Sequence, residues 1–257
     1  MTFQLAAHGV SYRVGRTQIL HPLDLDLAPG QLVAVVGPNG AGKTTLLHLL
    51  GGEMPPSTGS VTIDGTPIRD IAALELARLR ALLAQDGPSD IPFPVAAVVS
   101  LGRTPQRRVE GNSASRDAAV VADTMEEMGI SHIAGRLFAT LSSGERSLVS
   151  LARVLVQESP ILLLDEPTGA LDVAIEERTM DRIRSRSRDD RIVVSVLHDL
   201  NVAAKYADRS IVVSRGGIVA DGAPADVLTS DLLTEVYRHP MRVVPHPFRE
   251  GPLILVG

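Results

Sequence analysis

A run of nine residues near the start of the chain has the composition of a phosphate-binding loop. The run is Gly37, Pro38, Asn39, Gly40, Ala41, Gly42, Lys43, Thr44 and Thr45, which contains the spacing G-x-x-x-x-G-K-[ST]. Glycines let backbone N–H groups turn toward a polyphosphate, Lys43 adds a mobile cation, and Thr44 offers a hydroxyl to magnesium. The apolar run Leu32–Val36 before the loop predicts a buried strand, and Leu46–Leu50 after it predicts a helix. This context favours a phosphate site over a glycine-rich turn that merely caps a helix.

Two carboxylates follow a second apolar run, Ile161–Leu164. A strand that ends beside the phosphate loop would let Asp165 hold hydrated magnesium and let Glu166 polarise an attacking water. His198 follows the run Ile192–Leu197, and we expect it near the same phosphates. A solvated acidic turn and a structural histidine are the alternatives, and the phosphate loop favours the functional interpretation of both.

The composition excludes several other classes of site. The chain has 257 residues, of which 44% are hydrophobic and 21% charged, so we expect a folded α/β domain. It has no cysteine, which excludes disulfides, thiolate metal sites and a cysteine nucleophile. A net charge of -5 and 3% aromatic residues predict no nucleic-acid partner. Without a signal peptide in Met1–Val10 or an apolar run of roughly 20 residues, we expect a cytosolic chain that reaches a membrane only through a partner.

Strands are predicted at both ends of the chain and helices in the middle. The N-terminal strand signals are Phe3–Ala7, Leu23–Leu27 and a hairpin over Gly59–Arg69 with its turn at Asp64-Gly65. The helical patterns without intervening strands are Ala96–Arg103, Ser115–Met128 and Glu145–Gln157. The later strands are Ile161–Leu164, Ile192–Val196 and Ser210–Val213, with helices near Ala174–Ser187 and Leu200–Ala207. This alternation predicts parallel βα units on both sides of a helical insert, followed by an extended tail from His239.

The segment Leu141-Ser142-Ser143-Gly144-Glu145, just ahead of the acidic pair, resembles the signature of ABC transporter nucleotide-binding subunits. The other matching residues follow in the family's order: Tyr12, the phosphate loop, Gln85, Asp165-Glu166-Pro167-Thr168, Leu171-Asp172 and His198-Asp199. The resemblance implies an α/β fold: a P-loop NTPase core with a mainly parallel, RecA-like sheet, an N-terminal antiparallel β subdomain and an inserted helical subdomain. It implies one ABC ATPase domain over 1–257, with the core in 1–86 and 160–257 and the helical signature subdomain in 87–159.

The family resemblance also implies roles for these residues. Two copies of the chain would form a homodimer that sandwiches two ATP molecules head to tail, each signature completing the partner's site. The nucleotide-binding residues would be the phosphate loop with Tyr12, Ser142, Ser143, Gly144, Glu145 and Asp172. Magnesium would be held by Thr44, Gln85 and Asp165, and the catalytic residues would be Lys43, Glu166 and His198. The partners would be polytopic permease subunits, with the ATPase peripheral on the cytoplasmic face of the cell membrane.

The signature can be understood as a second anion site. Ser142 and Gly144 precede the predicted helix Glu145–Gln157, so hydroxyl and N–H donors lie at its positive end. An ordinary capped helix start is the alternative for this segment alone. Ser143 stands where the family usually has glycine, and we hypothesise that its side chain restricts φ or crowds the partner's nucleotide and weakens turnover.

Three segments resemble the family branch that serves importers of iron chelates, haem and cobalamin. They are Val98–Pro105, His198–Arg209 and the tail Val243–Val256. The tail is similar to that of haemin-import ATPase subunits. The resemblance implies ATP hydrolysis that drives uptake of haem or an iron chelate, delivered by an extracellular or periplasmic binding protein. A cobalamin importer, a soluble ABC ATPase of iron–sulfur or other cofactor assembly, and an idle ATP-binding regulator are the alternatives.

Overall fold

The computed structural model describes residues 3–85, 91–110, 114–188 and 190–257. The strands are β1 (Leu5–Val14), β2 (Thr17–Leu27), β3 (Gln31–Val36), β4 (Thr58–Ile63), β5 (Thr66–Pro67), β6 (Arg80–Leu83), β7 (Ile161–Asp165), β8 (Ile192–Val196), β9 (Arg209–Ser214), β10 (Gly217–Gly222), β11 (Met241–Pro245) and β12 (Pro252–Val256). The α-helices are α1 (Lys43–Leu50), α2 (Ala73–Leu79), α3 (Val95–Ser100), α4 (Thr104–Glu110), α5 (Ala114–Glu127), α6 (Ser143–Leu155), α7 (Val173–Ser187), α8 (Leu200–Tyr206), α9 (Pro224–Val227) and α10 (Ser230–Tyr237).

The central sheet has the strand order β10-β9-β3-β8-β7-β6. All neighbouring pairs are parallel except β9 and β10. Because parallel strands end at the same edge of a sheet, the loops after β3, β6, β7 and β8 meet there. The phosphate loop follows β3, and Gln85, Glu166 and His198 lie in the loops after β6, β7 and β8, respectively. The parallel sheet therefore brings these predicted site residues to one edge.

The inner strands β3, β7 and β8 are buried on both faces, which explains their largely continuous apolar sequences. In β3, Leu32, Ala34 and Val36 pack into a core shared with α6 and the other helices between β6 and β7. Val33 and Val35 point the other way, into a core shared with α1, β1, β2 and β4. The sheet therefore separates two cores, one mainly helical and one covered by the N-terminal strands.

The N-terminal strands form an antiparallel sheet in the order β2-β1-β4-β5. The hairpin predicted at Asp64-Gly65 joins β4 to β5, as expected. In contrast, β1 extends to Val14, well beyond the predicted end at Ala7. Its pairing with β2 shifts register after Ala7 and again after Val10, so no single alternation of buried and exposed residues runs along the whole strand.

Helices α3, α4, α5 and α6 lie between β6 and β7, which confirms the expected helical insert. Together with the sheet order, this confirms the P-loop NTPase fold class. The subdomain boundaries at 86/87 and 159/160 stay predictions, and the first falls among residues 86–90, outside the described residues. Sequence analysis missed α2 and β6, because a strand of four residues directly after a helix gives no periodic signal of its own.

The predicted extended tail forms an antiparallel hairpin, β11 with β12. Within the described residues this hairpin is a separate two-stranded sheet, and it packs on α8 and α10 rather than pairing with an edge of another sheet. Ile254 of β12 is buried in the mainly helical core.

No helix in the described ranges combines the length and apolar character needed to cross a membrane.

A buried ion-pair network fastens the helical insert. The Arg103 side chain is 1% exposed; its Nε donates to Asp117 Oδ1 at 2.9 Å and its Nη1 to Glu158 Oε2 at 2.6 Å. Nη1 also donates to the carbonyl of Val156 at 2.8 Å. Burial acts to raise the pKa of Asp117, but hydrogen bonds from Arg107 and Arg103 outweigh burial and lower that pKa. One guanidinium thus joins the segment after α3 to α5 and to the end of α6.

We expect Arg103→Met to lower the free energy of unfolding by about 3 kcal/mol, because it removes a buried guanidinium that pairs with both Asp117 and Glu158 and leaves only Arg107 beside Asp117. Urea unfolding followed by circular dichroism measures this change. The matched control is Arg69→Met, which removes an exposed pair with Asp70 and should cost less than about 1 kcal/mol. Equal losses of unfolding free energy in the two variants would contradict the structural role given to Arg103.

Candidate functional site

The phosphate loop is shaped by close approaches that exclude side chains. Gly37 has φ +149°, and a Cβ there would lie 2.0 Å from the carbonyl oxygen of Val213 in β9. Gly42 caps α1 with φ +103°, and a Cβ there would lie 2.6 Å from Cδ2 of Leu20 in β2. Glycine is required at both positions, since each combines a left-handed backbone with no space for a methyl group. The loop is therefore clamped between the central sheet and the N-terminal strands.

Lys43 is folded into the interior of this loop. The residue is 6% exposed, and its Nζ donates to the carbonyls of Gly37 at 2.8 Å and Pro38 at 3.0 Å. Burial lowers the pKa of Lys43, whereas the nearby carboxylates of Glu166 and Asp165 act to raise it. The loop and the acidic pair are thus close enough to interact electrostatically, as the sequence predicted.

Asp165, at the end of β7, has a buried carboxylate. The residue is 2% exposed, and neither carboxylate oxygen has a hydrogen-bond partner in the described part of the chain. Burial raises its pKa, against a smaller opposing effect of the Thr44 hydroxyl, which lies beside it without the geometry of a hydrogen bond. A buried oxygen anion without a partner, next to a hydroxyl and a phosphate loop, has the chemistry that suits Mg²⁺.

Glu166 is held in a defined orientation by two side chains. Its Oε2 accepts a hydrogen bond from Gln85 Nε2 at 2.8 Å, and its Oε1 contacts Nε2 of His198. The backbone of Glu166 has φ +49°, and its N–H donates to the carbonyl of Val196 at 3.1 Å. A left-handed conformation at a non-glycine residue is often found at functional sites, where the surroundings impose it. The structure therefore brings Gln85, Glu166 and His198 together, as predicted.

A cavity of about 470 Å³ lies between the loop and this cluster. The predicted residues that line it are Asn39, Gly40, Gly42, Lys43, Thr44, Thr45, Gln85, Glu166 and His198. Ile19 of β2 also lines the cavity, and sequence analysis missed it. An isolated isoleucine in a strand carries no signal for such a position, because only the packing of β2 against Gly42 places it there.

Two further predicted nucleotide contacts lie elsewhere. Tyr12 is paired with Leu20 across β1 and β2 and does not line the cavity. Asp172 caps α7, where its carboxylate accepts a hydrogen bond from the N–H of Ile175 at 3.0 Å. Their contacts with a nucleotide therefore stay predictions.

The signature residues form the capped start of α6. The Oγ of Ser142 accepts from the N–H of Glu145 at 3.3 Å, and Oε2 of Glu145 accepts from the N–H of Ser142 at 2.8 Å. This second bond lowers the pKa of Glu145, and Arg136 Nη1 donates to its other oxygen at 2.7 Å. The hydroxyl of Ser142 also acts to lower the pKa of Glu145, so Ser142 and Glu145 hold each other through both backbone and side chain.

Ser143 and Gly144 follow the cap inside the helix. Ser143 is the first residue of α6 and its φ is not positive, so its side chain imposes no left-handed strain in this structure, and a weakened turnover stays a prediction. Crowding of a partner's nucleotide by Ser143 stays a prediction. A Cβ at Gly144 would lie 3.2 Å from the carbonyl oxygen of Ala170. The start of α6 therefore sits tightly against the segment that follows Glu166.

Within one chain, the signature and the phosphate loop face different cavities. Ser142, Ser143 and Gly144 do not line the phosphate cavity. Ser143 instead lines a second cavity of about 380 Å³, which Gln85 and Glu166 also border. Ser143 and the phosphate loop thus line different cavities of one chain.

The sequence matches a family model described as ABC transporter over residues 20–169. A hemin import ATP-binding protein of Nocardia farcinica is 47% identical over 238 residues, 93% of this chain and 82% of that protein. A protein of the same name from Streptomyces coelicolor is 45% identical over 251 residues, 98% of this chain and 89% of that protein.

Solved structures share the fold over most of the chain. A metal-chelate-type ABC transporter in an inward-facing conformation has a TM-score of 0.82 and 25% identity, covering 99% of this chain and 98% of that chain. A dimeric ATP-binding cassette in a post-hydrolysis state, bound to ADP and Pi, has a TM-score of 0.75 and 26% identity, covering 86% of this chain and 98% of that chain.

The raised pKa of Asp165 has a consequence for stability. A carboxyl group whose folded pKa exceeds its unfolded value stabilises the fold fully below the unfolded pKa, and this contribution is lost as pH rises through the folded pKa. At pH 7 without magnesium or nucleotide, Asp165→Asn should therefore raise the Tm. The expected rise is about 2–4 °C, the effect of roughly 1 kcal/mol in a domain of this size. The difference should shrink toward pH 4, and thermal melts across this pH range measure it.

The same variant should lose most of the Tm increase that Mg²⁺ and ATP give the parent, because the buried anion for the metal is gone. The exposed Asp70→Asn is the control, and it should match the parent both with and without Mg²⁺ and ATP. A Tm difference that is independent of pH, or a full response of Asp165→Asn to Mg²⁺ and ATP, would contradict the role given to Asp165.

Proposed function

The chain belongs to the ABC transporter family and is an ATPase, and from this premise we propose that it drives the uptake of haem or an iron chelate across the cytoplasmic membrane. The observation that carries the ATPase chemistry is the cluster of Gln85, Glu166 and His198 facing the phosphate loop across one cavity. The choice of cargo rests on the hemin-import relatives, which match nearly the whole chain.

Hydrolysis would proceed by in-line attack of water on the γ-phosphate of ATP. Glu166 takes the proton of that water. Gln85 and His198 each orient one carboxylate oxygen of Glu166. Lys43 and the loop amides stabilise the charge on the phosphates, and His198 also senses the γ-phosphate. Thr44, Gln85 and Asp165 would hold Mg²⁺, which neutralises phosphate charge when bound.

A second copy of the chain would complete each site. Ser143, at the start of α6, lines a different cavity from the phosphate loop of its own chain. In a head-to-tail homodimer, Ser142, Ser143, Gly144 and Glu145 of one copy would meet the γ-phosphate held by the other. Tyr12 would stack on the adenine, and Asp172 would lie near the shared nucleotide. ATP then favours the closed dimer, and hydrolysis removes the bridge between its halves.

The ATPase would dock on polytopic permease subunits at the cytoplasmic face of the membrane. We propose that the docking groove lies at Gln85 and the segment 87–103, of which residues 87–90 lie outside the described residues. Ile91 and Val98 of this segment border the 380 Å³ cavity beside α6, and Phe93 and Leu101 expose apolar surface. A cytosolic helix of the permease fits such a groove, while an extracellular or periplasmic binding protein delivers the cargo.

Glu166→Gln should slow ATP turnover by roughly 100-fold or more, because the amide cannot accept the proton of the attacking water. Nucleotide still binds, so the variant should accumulate as an ATP-bound dimer. Phosphate release and light scattering after size-exclusion chromatography in Mg²⁺ and ATP measure the two effects. The control is Glu250→Gln, an exposed carboxylate far along the chain in the tail hairpin, which should behave as the parent. Parent-like turnover in Glu166→Gln would contradict the proposal that Glu166 takes the proton of the attacking water.

The cargo is tested by deleting the gene in its native host and growing cells on haem, on siderophore-bound iron or on inorganic iron as the sole iron source. We expect growth on haem to fail, the parent gene to restore it and the Glu166→Gln gene not to restore it. A defect confined to siderophore iron would select the iron chelate over haem, and a defect confined to cobalamin uptake would reassign the cargo. Normal uptake of haem, siderophore iron and cobalamin, with no polytopic membrane protein in purified complexes, would favour a soluble cofactor-assembly ATPase instead.

A further inference from the structure

One side chain joins the C-terminal hairpin to the helix that follows His198. Nδ2 of Asn201 donates to the carbonyl of Ile254 at 3.1 Å, and Oδ1 of Asn201 accepts from the N–H of Ile254 at 2.8 Å. The amide thus satisfies both backbone groups of one residue in β12, as a neighbouring strand would. Such a two-bond contact fixes both the position and the orientation of the side chain.

Asn201 lies in the first turn of α8, three residues after His198. Its N–H donates to Oδ1 of Asp199 at 2.7 Å, and Asp199 is the N-cap of the helix. The N–H of Val202 donates to the same oxygen at 3.3 Å. Asn201 is therefore held through its backbone on the side of His198 and through its side chain on the side of β12.

The hairpin of β11 and β12 is itself fixed to the rest of the protein. Ile254 is 4% exposed in the core, and all five residues of β11 pair with β12. The N–H of Val243 in β11 donates to Oγ of Ser230 in α10 at 2.8 Å. At the other end of α10, burial raises the pKa of Tyr237 to about 12, against the opposing effect of the backbone N–H of Gly37 beside its hydroxyl. The C-terminal unit therefore reaches both the phosphate loop and the turn after β8.

His198 itself has little else to hold its ring. Its side chain is 48% exposed, and Glu166 is the only hydrogen-bonding partner that the described residues provide for the imidazole. The position of the ring therefore depends on the backbone that enters α8. We propose that Asn201 is a positioning residue for His198: by clamping the first turn of α8 to β12, it holds the imidazole against Glu166. This inference rests on the proposed catalytic role of His198.

A purely structural clamp and a positioning clamp predict different kinetics. Loss of the clamp should lower kcat but leave the KM for ATP little changed, because the phosphate loop is untouched. If Asn201 acts through His198, the loss should also vanish once His198 is replaced, since there is then no ring to position. A contact that only stabilises the fold would instead slow both backgrounds by the same factor.

The experiment measures single-turnover ATP hydrolysis by the full chain at saturating Mg²⁺ and ATP, with Asn201→Ala and Asn201→Asp in the parent and in His198→Ala. Ala removes both hydrogen bonds, and Asp keeps only the acceptor. In the parent we expect each variant to slow hydrolysis roughly tenfold, the scale of a small misplacement of a reacting group. In His198→Ala we expect each to change the rate by less than about twofold. If Asn201→Ala does not fold, Asn201→Asp decides the outcome.

The matched control is Val256→Ala, on the same strand but 68% exposed, which should keep the parent's rate. Parent-like rates for the Asn201 variants, or losses that multiply with that of His198→Ala, would overturn the inference. His198→Ala alone separates the two proposals. If it hydrolyses ATP at the parent's rate, the proposed role of His198 fails together with the inference; if it is slow while the Asn201 variants are not, only the inference fails.

Discussion

The buried carboxylate of Asp165 is the feature around which this molecule is organised. A charged oxygen with no hydrogen-bond partner is unfavourable in a protein interior, and burial accordingly raises its pKa. The group is held there because β7 lies between β6 and β8, with apolar residues on both faces. Lys43, also buried, interacts with it electrostatically across the edge of the sheet. The folded chain thus keeps a cation and an anion poised close together, which suits a site for magnesium and phosphate.

The residues around this pair differ in how they are held. The phosphate loop is clamped by backbone, with Gly37 against β9 and Gly42 against β2. Glu166 is oriented by Gln85 and His198, which come from two other loops. The phosphate loop is therefore shaped by backbone contacts that exclude side chains, whereas the cluster around Glu166 depends on side chains that each belong to a separate turn.

Much of the fold could be predicted because its signals are local. A continuous apolar run predicts a strand buried on both faces, and β3, β7 and β8 were found where such runs occur. The extent of β1 was missed because its register shifts break the alternation, and β6 because four residues carry too little pattern. Ile19 lines the phosphate cavity only through the packing of β2 on Gly42, a contact with no trace in the neighbouring residues.

The amino-acid sequence alone determined the family, the order of the motifs and the residue types capable of the chemistry, since spacing and composition are properties of short segments. Tertiary structure decided which of these residues meet. It placed Gln85 and His198 on the two oxygens of Glu166, left the Asp165 carboxylate without a hydrogen-bond partner among the described residues, and set Ser143 in a different cavity from the phosphate loop. The physical reason is that these relations depend on how strands and helices pack across the sheet, over separations in sequence that no local pattern spans.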